Sequence, residues 1–209
     1  MAFSQHNPTI RTTSLLSLTN GVLNRLGRSS VTNLQDRDDA ILIAQLMPLW
    51  LGELLLKTNW TFATKYYFSN TPLVDNLEYN PYLSYQYPND FALPADYGRF
   101  YKWIGRGTPT FDFDYQICGN IFQCRSSYIA MYYIVNLCEY SVITNAAFIA
   151  ALQHYGASEI ALTLTQRTDL ETAEFRKYQM KIGDAIQQNA YECSISQTVN
   201  NDFRRQVFI

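Results

Sequence analysis

Hydrophobic positions along the chain change period twice, and the changes divide it into helical, strand-like and again helical stretches. In "SLLSLTNGVLNRLG", Leu15, Leu18, Val22 and Leu26 recur at helical spacing, with Ser14 as a cap and Gly27 as a stop. The run "DRDDAILIAQLMPLWLGELLLKTNW" opens with acids, which favour a helix N-terminus, and carries a stripe through Ile43, Met47, Trp50 and Leu54. Pro48 lies inside it, and the missing amide predicts a kink or break there.

From about Phe68 the helical period disappears. Proline, glycine and asparagine punctuate aromatic segments such as "LEYNPYLSYQYPNDFALPADYGRFYKWIG". Phe111, Phe113, Tyr115 and Ile117 then alternate with polar residues before Gly119–Asn120, which predicts a β-hairpin. Tyr128 to Leu137 is rich in Tyr, Ile and Val, as in a strand covered on both faces, and is expected to join the hairpin in one small antiparallel sheet.

A third helix is expected from Ala146 to Leu164. Its row of Ala147, Ala150, His154, Ala157 and Ala161 is small apart from the histidine, so other helices should surround it. "TDLE", Thr168 to Glu171, has the form of a capping box and predicts a fourth helix with Phe175, Tyr178, Ile182, Ala185 and Ile186 inward. The last stretch, "SQTVNNDFRRQVFI", has the pattern of a polar linker with an apolar tip. The expected class is mainly α with a β insertion (α+β). Its segments are an arm over 1–13, two helices over 14–67, a β-rich region over 68–140, two helices over 141–193 and an extended tail over 194–209.

Composition narrows what such a protein does. Only 16% of the 209 residues are charged, against roughly 25% in an ordinary soluble domain, and there are 16 Tyr and 12 Phe. A tyrosine-rich surface short of charge suits an assembling protein. The net charge of −2 comes with no basic block suited to reading nucleic acid sequence. The apolar stretch between Arg125 and Arg167 is interrupted at Asn136, Glu139 and Thr144–Asn145, so it falls short of the about 20 unbroken residues a membrane span needs. The first residues lack the basic start and apolar core of a signal peptide. Cys118, Cys124, Cys138 and Cys193 form no C-x-x-C pair, and with only His6 and His154 available no metal site is expected. Free thiols in a reducing cytosol are expected.

Candidate chemistry is sparse. There is no G-x-S-x-G, no phosphate-cradling glycine loop and no H-E-x-x-H. His154, among alanines, has the setting of a core or interface histidine, and His6 falls in the arm. The remaining enzymatic option is a pair of carboxylates. Glycoside hydrolysis needs two held about 5–9.5 Å apart, and Glu159 in an apolar helix with Glu139 as partner is the pair to consider. The competing expectation is that Glu159 pairs with a neighbour's arginine or faces solvent in the lumen of a ring. Apolar Phe203, Val207, Phe208 and Ile209, with Arg204 and Arg205 among them, suit a segment that orders on docking to a partner.

Four stretches, taken in order, resemble the head-to-tail adaptor proteins of short-tailed bacteriophages, of the tail tubular protein A type. They are "LTNGVLNRLGRSSVTNLQD"; "LLLKTNWTFATK" with its W-x-F-A residues Trp60, Phe62 and Ala63; "FALPADYGRFYKW" with the L-P-x-D residues Leu93, Pro94 and Asp96; and "YQICGNIFQCRSSYIAMYYIVNL…FIAALQHYGASEIALTLTQ". The likeness spans roughly Ser14 to Ala190, and each motif alone is short. Pro48 and the long aromatic segment around Tyr79–Tyr87 depart from the pattern.

The resemblance implies a four-helix bundle with a β-region inserted between helices 2 and 3. It also implies a twelve-subunit ring that joins the portal protein to the tail nozzle protein and passes genomic DNA through its channel without sequence-specific binding. By the same likeness residues 200–209 dock on the portal. The chain would then be a non-enzymatic virion protein at the head-tail junction, assembled in the host cytoplasm, with no cofactor, no metal and no membrane. A wall-degrading virion enzyme using paired carboxylates, and a stopper or tail-completion protein, are the alternatives.

Overall fold

The computed structural model describes residues 13–73, 87–104, 115–136 and 139–206, the last stretch by its backbone alone beyond residue 193. Among these residues it is a mixed α/β chain with four α-helices and two small antiparallel sheets. The chain divides into two compact units, Met1–Leu54 with Cys138–Ile209, and Leu55–Leu137. The second unit is therefore the stretch of chain between the second and third helices.

In the helical unit, α1 spans Leu15–Arg25, and the hydroxyl of Ser14 accepts the Ser17 amide at 3.1 Å. It ends as the glycine predicts. Gly27 adopts φ +72, the Gly27 amide donates to Asn24 and the Arg28 amide reaches back to Leu23. These two bonds satisfy carbonyls that a helix end otherwise leaves open. The α2 helix runs Asp38–Leu55 with Ile43, Met47, Trp50 and Leu54 buried. It continues through Pro48 without a break, contrary to a break at that residue. Pro48 is on the exposed side, where water can take the carbonyl that the missing amide leaves open.

Asn145 caps α3, Ala146–Thr165, by accepting the Phe148 amide at 2.9 Å. The α3 helix packs against its neighbours through Ala157 and Ala161 of the small row, while Ala147 and Ala150 of the same row are half-buried. Gly156 lies so close to α2 that a Cβ there would come within 2.6 Å of the Trp50 ring. Gly21 of α1 similarly faces Gln153.

Gln166, at φ 57, turns the chain into α4, Thr168–Gln206. Three expectations for this last helix are corrected. The Glu171 amide donates to the Arg167 carbonyl, so the first turn is closed by backbone and not by the Thr168 hydroxyl. The buried stripe is Glu174, Tyr178, Ala185 and Asn189, while Phe175 and Ile186 are 42% and 38% exposed. The stretch from 194 to 206 is helix and not an extended tail, because nothing between Thr168 and Gln206 breaks a helix: there is no proline, and Gly183 is the sole glycine.

The second unit has its strands in two sheets. β1 (Thr64–Ser69), β6 (Ile129–Val135) and β3 (Tyr97–Trp103) form the first, with β6 in the middle. β2 (Asn89–Ala92), β5 (Ile121–Cys124) and β4 (Tyr115–Cys118) form the second, with β5 central. The β4–β5 hairpin turns at Gly119–Asn120 as predicted, and Gly119 at φ +59 supplies the positive angle such turns need. Phe111 and Phe113 lie outside the described residues. The hairpin and the strand that follows it belong to different sheets, correcting the single sheet expected. β6 pairs instead with β1 and β3, Tyr66 opposite Tyr132 and Phe100 opposite Tyr133. All of β6 except Tyr132 is buried, in keeping with a strand covered on both faces. Aromatic rings join the sheets: Trp103 lies 6.5 Å from Phe122 at 8°, and Phe100 lies 4.9 Å from Tyr115.

Candidate functional site

The motif residues in the second unit occupy its corners. Trp60 is fully buried, stacks on Phe62 at 5.8 Å, and opens the short turn Thr61–Ala63 that feeds β1. Its carbonyl accepts the Thr64 hydroxyl at 2.6 Å, and Ala63 is buried beside it. In the second motif, the Leu93 amide donates to Asn120 at 2.8 Å, and the Pro94 carbonyl accepts the Tyr97 amide at 3.0 Å. Asp96 then ties three strands together. One oxygen takes Lys65 of β1 at 2.7 Å, the other takes the Tyr133 hydroxyl of β6 at 2.8 Å, and the residue itself leads into β3. Burial pushes its carboxyl up, but the hydrogen bonds from Lys65 and Tyr133 outweigh it and leave the group below its ordinary value. Burial first, and the Asp96 carboxylate second, push the Tyr133 hydroxyl up.

The helical unit holds a charged cluster that the residue pattern did not reveal. Glu174, 2% exposed, takes Lys177 on one oxygen at 2.7 Å and His154 Nδ1 on the other at 2.6 Å. Arg25 of α1 brings its Nε to the same ring nitrogen at 3.1 Å and donates through a terminal nitrogen to the Gly21 carbonyl. One ring nitrogen cannot both donate to the carboxylate and accept from the guanidinium. We assign its proton to the shorter, charge-assisted bond with Glu174. Burial pushes Glu174 up but Lys177 and His154 prevail, so it stays ionised. Burial chiefly, with Arg25 and Lys177, holds His154 below its ordinary value despite the carboxylate. His154 is thus a packed, hydrogen-bonded histidine joining α1, α3 and α4.

Glu139 and Glu159 are not brought together. Glu139 precedes the short turn before α3, where it accepts the Ser141 hydroxyl at 3.3 Å. Glu159 lies along α3 about 20 Å of axis beyond the cap at Asn145. Its acidic neighbours are Glu53 and Glu171. Partial burial first, and then those two charges, raise its carboxyl above the ordinary range. Glu159 lines a pocket of about 360 Å³ with Ser158, Glu171, Thr172 and Phe175. Glu53 accepts the Tyr155 hydroxyl nearby.

At the C-terminal end, Phe203, Arg204 and Arg205 fall on helical backbone of α4. Val207, Phe208 and Ile209 lie outside the described residues, as do His6 and nearly all of the N-terminal arm. The cap of α3 marks where α4 leaves its partner, because Asn145 Nδ2 donates to the Ala185 carbonyl at 3.4 Å. The α3 helix is about 30 Å long and α4 about 58 Å, so the later part of α4 continues beyond the start of α3.

Among the described residues no group of His, Cys, Asp and Glu is arranged to hold a metal ion, and no helix is long and apolar enough to cross a membrane. Cys118 and Cys124 are free thiols. No known protein-family model matches the sequence, and no curated protein shows significant similarity to it.

Proposed function

We propose that this chain is a structural virion protein, a head-to-tail adaptor. Copies of it form a twelve-membered ring between the portal and the tail nozzle and leave a channel for DNA. The observation that carries the reading is the chain's division of labour. The four helices among the described residues belong to one unit, a β-rich unit is inserted between the second and third, and the last helix runs on beyond its partner toward residues 200–209. In this reading the helical unit is a four-helix bundle, the inserted unit meets the nozzle, and the end of α4 with Phe203, Arg204, Arg205, Val207, Phe208 and Ile209 docks on the portal. Exposed apolar side chains on α2 and α4, among them Leu49 at 59% and Met180 at 63%, suit a chain whose cover comes from other subunits. The work is binding, and no catalytic group, cofactor or metal enters it. The protein is assembled into the virion in the host cytoplasm.

The test is a particle made with residues 200–209 deleted. Filled heads should accumulate with no ring at the portal vertex and no tail, as seen by electron microscopy. Normal tailed particles carrying the shortened chain would overturn the docking role.

A further inference from the structure

The buried stripe of α4 has two flanks of different character. On one side Glu171, Phe175 and Ile186 recur at helical spacing, and Glu159 of α3 and Glu53 of α2 stand beside them. Neither Glu159 nor Glu171 takes part in any ion pair found among the described residues. Phe175 lines the same pocket, 42% exposed. On the other side Lys177, Lys181, Gln188 and Tyr191 follow one another at the same spacing. There α3 contributes Ala146, Ala147 and Ala150, and the groove they floor with Lys181 and Gln188 measures about 510 Å³. Lys177 and Lys181 have their ammonium groups half in solvent, each bonded to one carboxylate on its own helix.

We propose that these two flanks are the two halves of one contact, so that the acidic flank of each chain packs against the lysine-and-alanine flank of a second copy. The uncompensated carboxylates of Glu159 and Glu171 meet cations they lack within the chain, and the protruding Phe175 ring enters a groove kept open by alanines. Because the flanks differ, the contact is head-to-tail. Each chain keeps one flank free for the next, which gives a ring where the rotation closes. The inference rests on the ring reading above and names the surfaces that build it.

Charge exchange tests it on the full-length protein. Variant one is Glu159→Lys with Glu171→Lys; variant two is Lys181→Glu with Gln188→Glu. Self-association is followed by sedimentation velocity under reducing conditions at low salt and high protein concentration, with circular dichroism to verify folding. Each variant alone sets like charges across the contact and should associate about tenfold or more weakly than wild type. An equimolar mixture should recover association, because variant one meets variant two through one native and one exchanged contact. If variant one fails to fold, Glu159→Gln with Glu171→Gln takes its place and should weaken association without adding repulsion. A single variant that associates like wild type, or a mixture that stays dissociated, overturns the flank assignment and leaves the ring standing. Wild type that stays monomeric at every concentration overturns the contact, while the ring itself is judged by the particles with and without residues 200–209.

Discussion

Tyr133 and Asp96 are joined by a 2.8 Å hydrogen bond from the tyrosine hydroxyl to the carboxylate, at the corner where β3 begins beside β6. Tyr133 is only 4% exposed, so its hydroxyl has little recourse to water. Tyr133→Phe should cost about 1–2 kcal/mol, measured by urea unfolding. Lys65→Ala should cost less than about 1 kcal/mol, since that ammonium is 59% exposed and its pair is screened. Equal losses would contradict this ranking.

Two glycines on helices predict different outcomes for the same substitution. Alanine normally gains about 1 kcal/mol over glycine inside a helix. At Gly156 the added Cβ meets the rigid Trp50 ring at 2.6 Å, and overpacking of about 1–3 kcal/mol outweighs that gain. Gly156→Ala should therefore lower the melting temperature. At Gly21 the neighbour is the flexible amide end of Gln153, which can swing away. Gly21→Ala should be close to neutral.

Acid should weaken the helical unit in two stages. The folded state holds His154 below its ordinary value of 6.5, so as pH falls past 6.5 the unfolded chain binds protons the folded chain refuses, and stability drops. Glu174 is held below its ordinary value of 4.5. Its contribution is present above that value and is lost as pH falls through the folded one. His154→Gln should flatten the stability profile just below pH 6.5 without removing the later loss. Glu174→Ala leaves the His154 ring and Lys177 without their carboxylate acceptor and should cost about 1–3 kcal/mol at neutral pH.

Pro48 offers a stabilising change. Its ring is exposed on α2, so Pro48→Ala loses no core packing and restores an amide donor to the helix. A gain of about 1–3 kcal/mol is expected from thermal or urea unfolding. A loss would mean that the proline shapes α2 in a way the free chain needs.

Local chemistry was legible wherever neighbours in sequence decide the outcome. Ser14, Gly27 and Gly119 act as their caps and turns predict, and the α2 stripe from Ile43 to Leu54 is buried as its spacing predicts. What failed to show depends on distant partners. β1 begins just after the W-x-F-A residues and becomes a strand by pairing with β6, far along the chain. The same pairing takes β6 away from the hairpin just before it. On α4, apolarity alone pointed Phe175 and Ile186 inward. The buried positions include Glu174 and Asn189, because His154 and Lys177 satisfy the carboxylate and small or polar groups fit the close approach of α3. The polar stretch after Cys193 suggested a linker, yet polar side chains do not end a helix when no proline interrupts it. The acidic surroundings of Glu159 likewise needed Glu53 and Glu171 from other helices.

The unbroken course of α4 from Thr168 to Gln206 has a mechanical consequence. A rod of that kind has no joint at which to dissipate a push. Force applied where it ends travels along its axis to the residues gripping α3, so whatever seizes that end also gains leverage over the buried charges around Glu174.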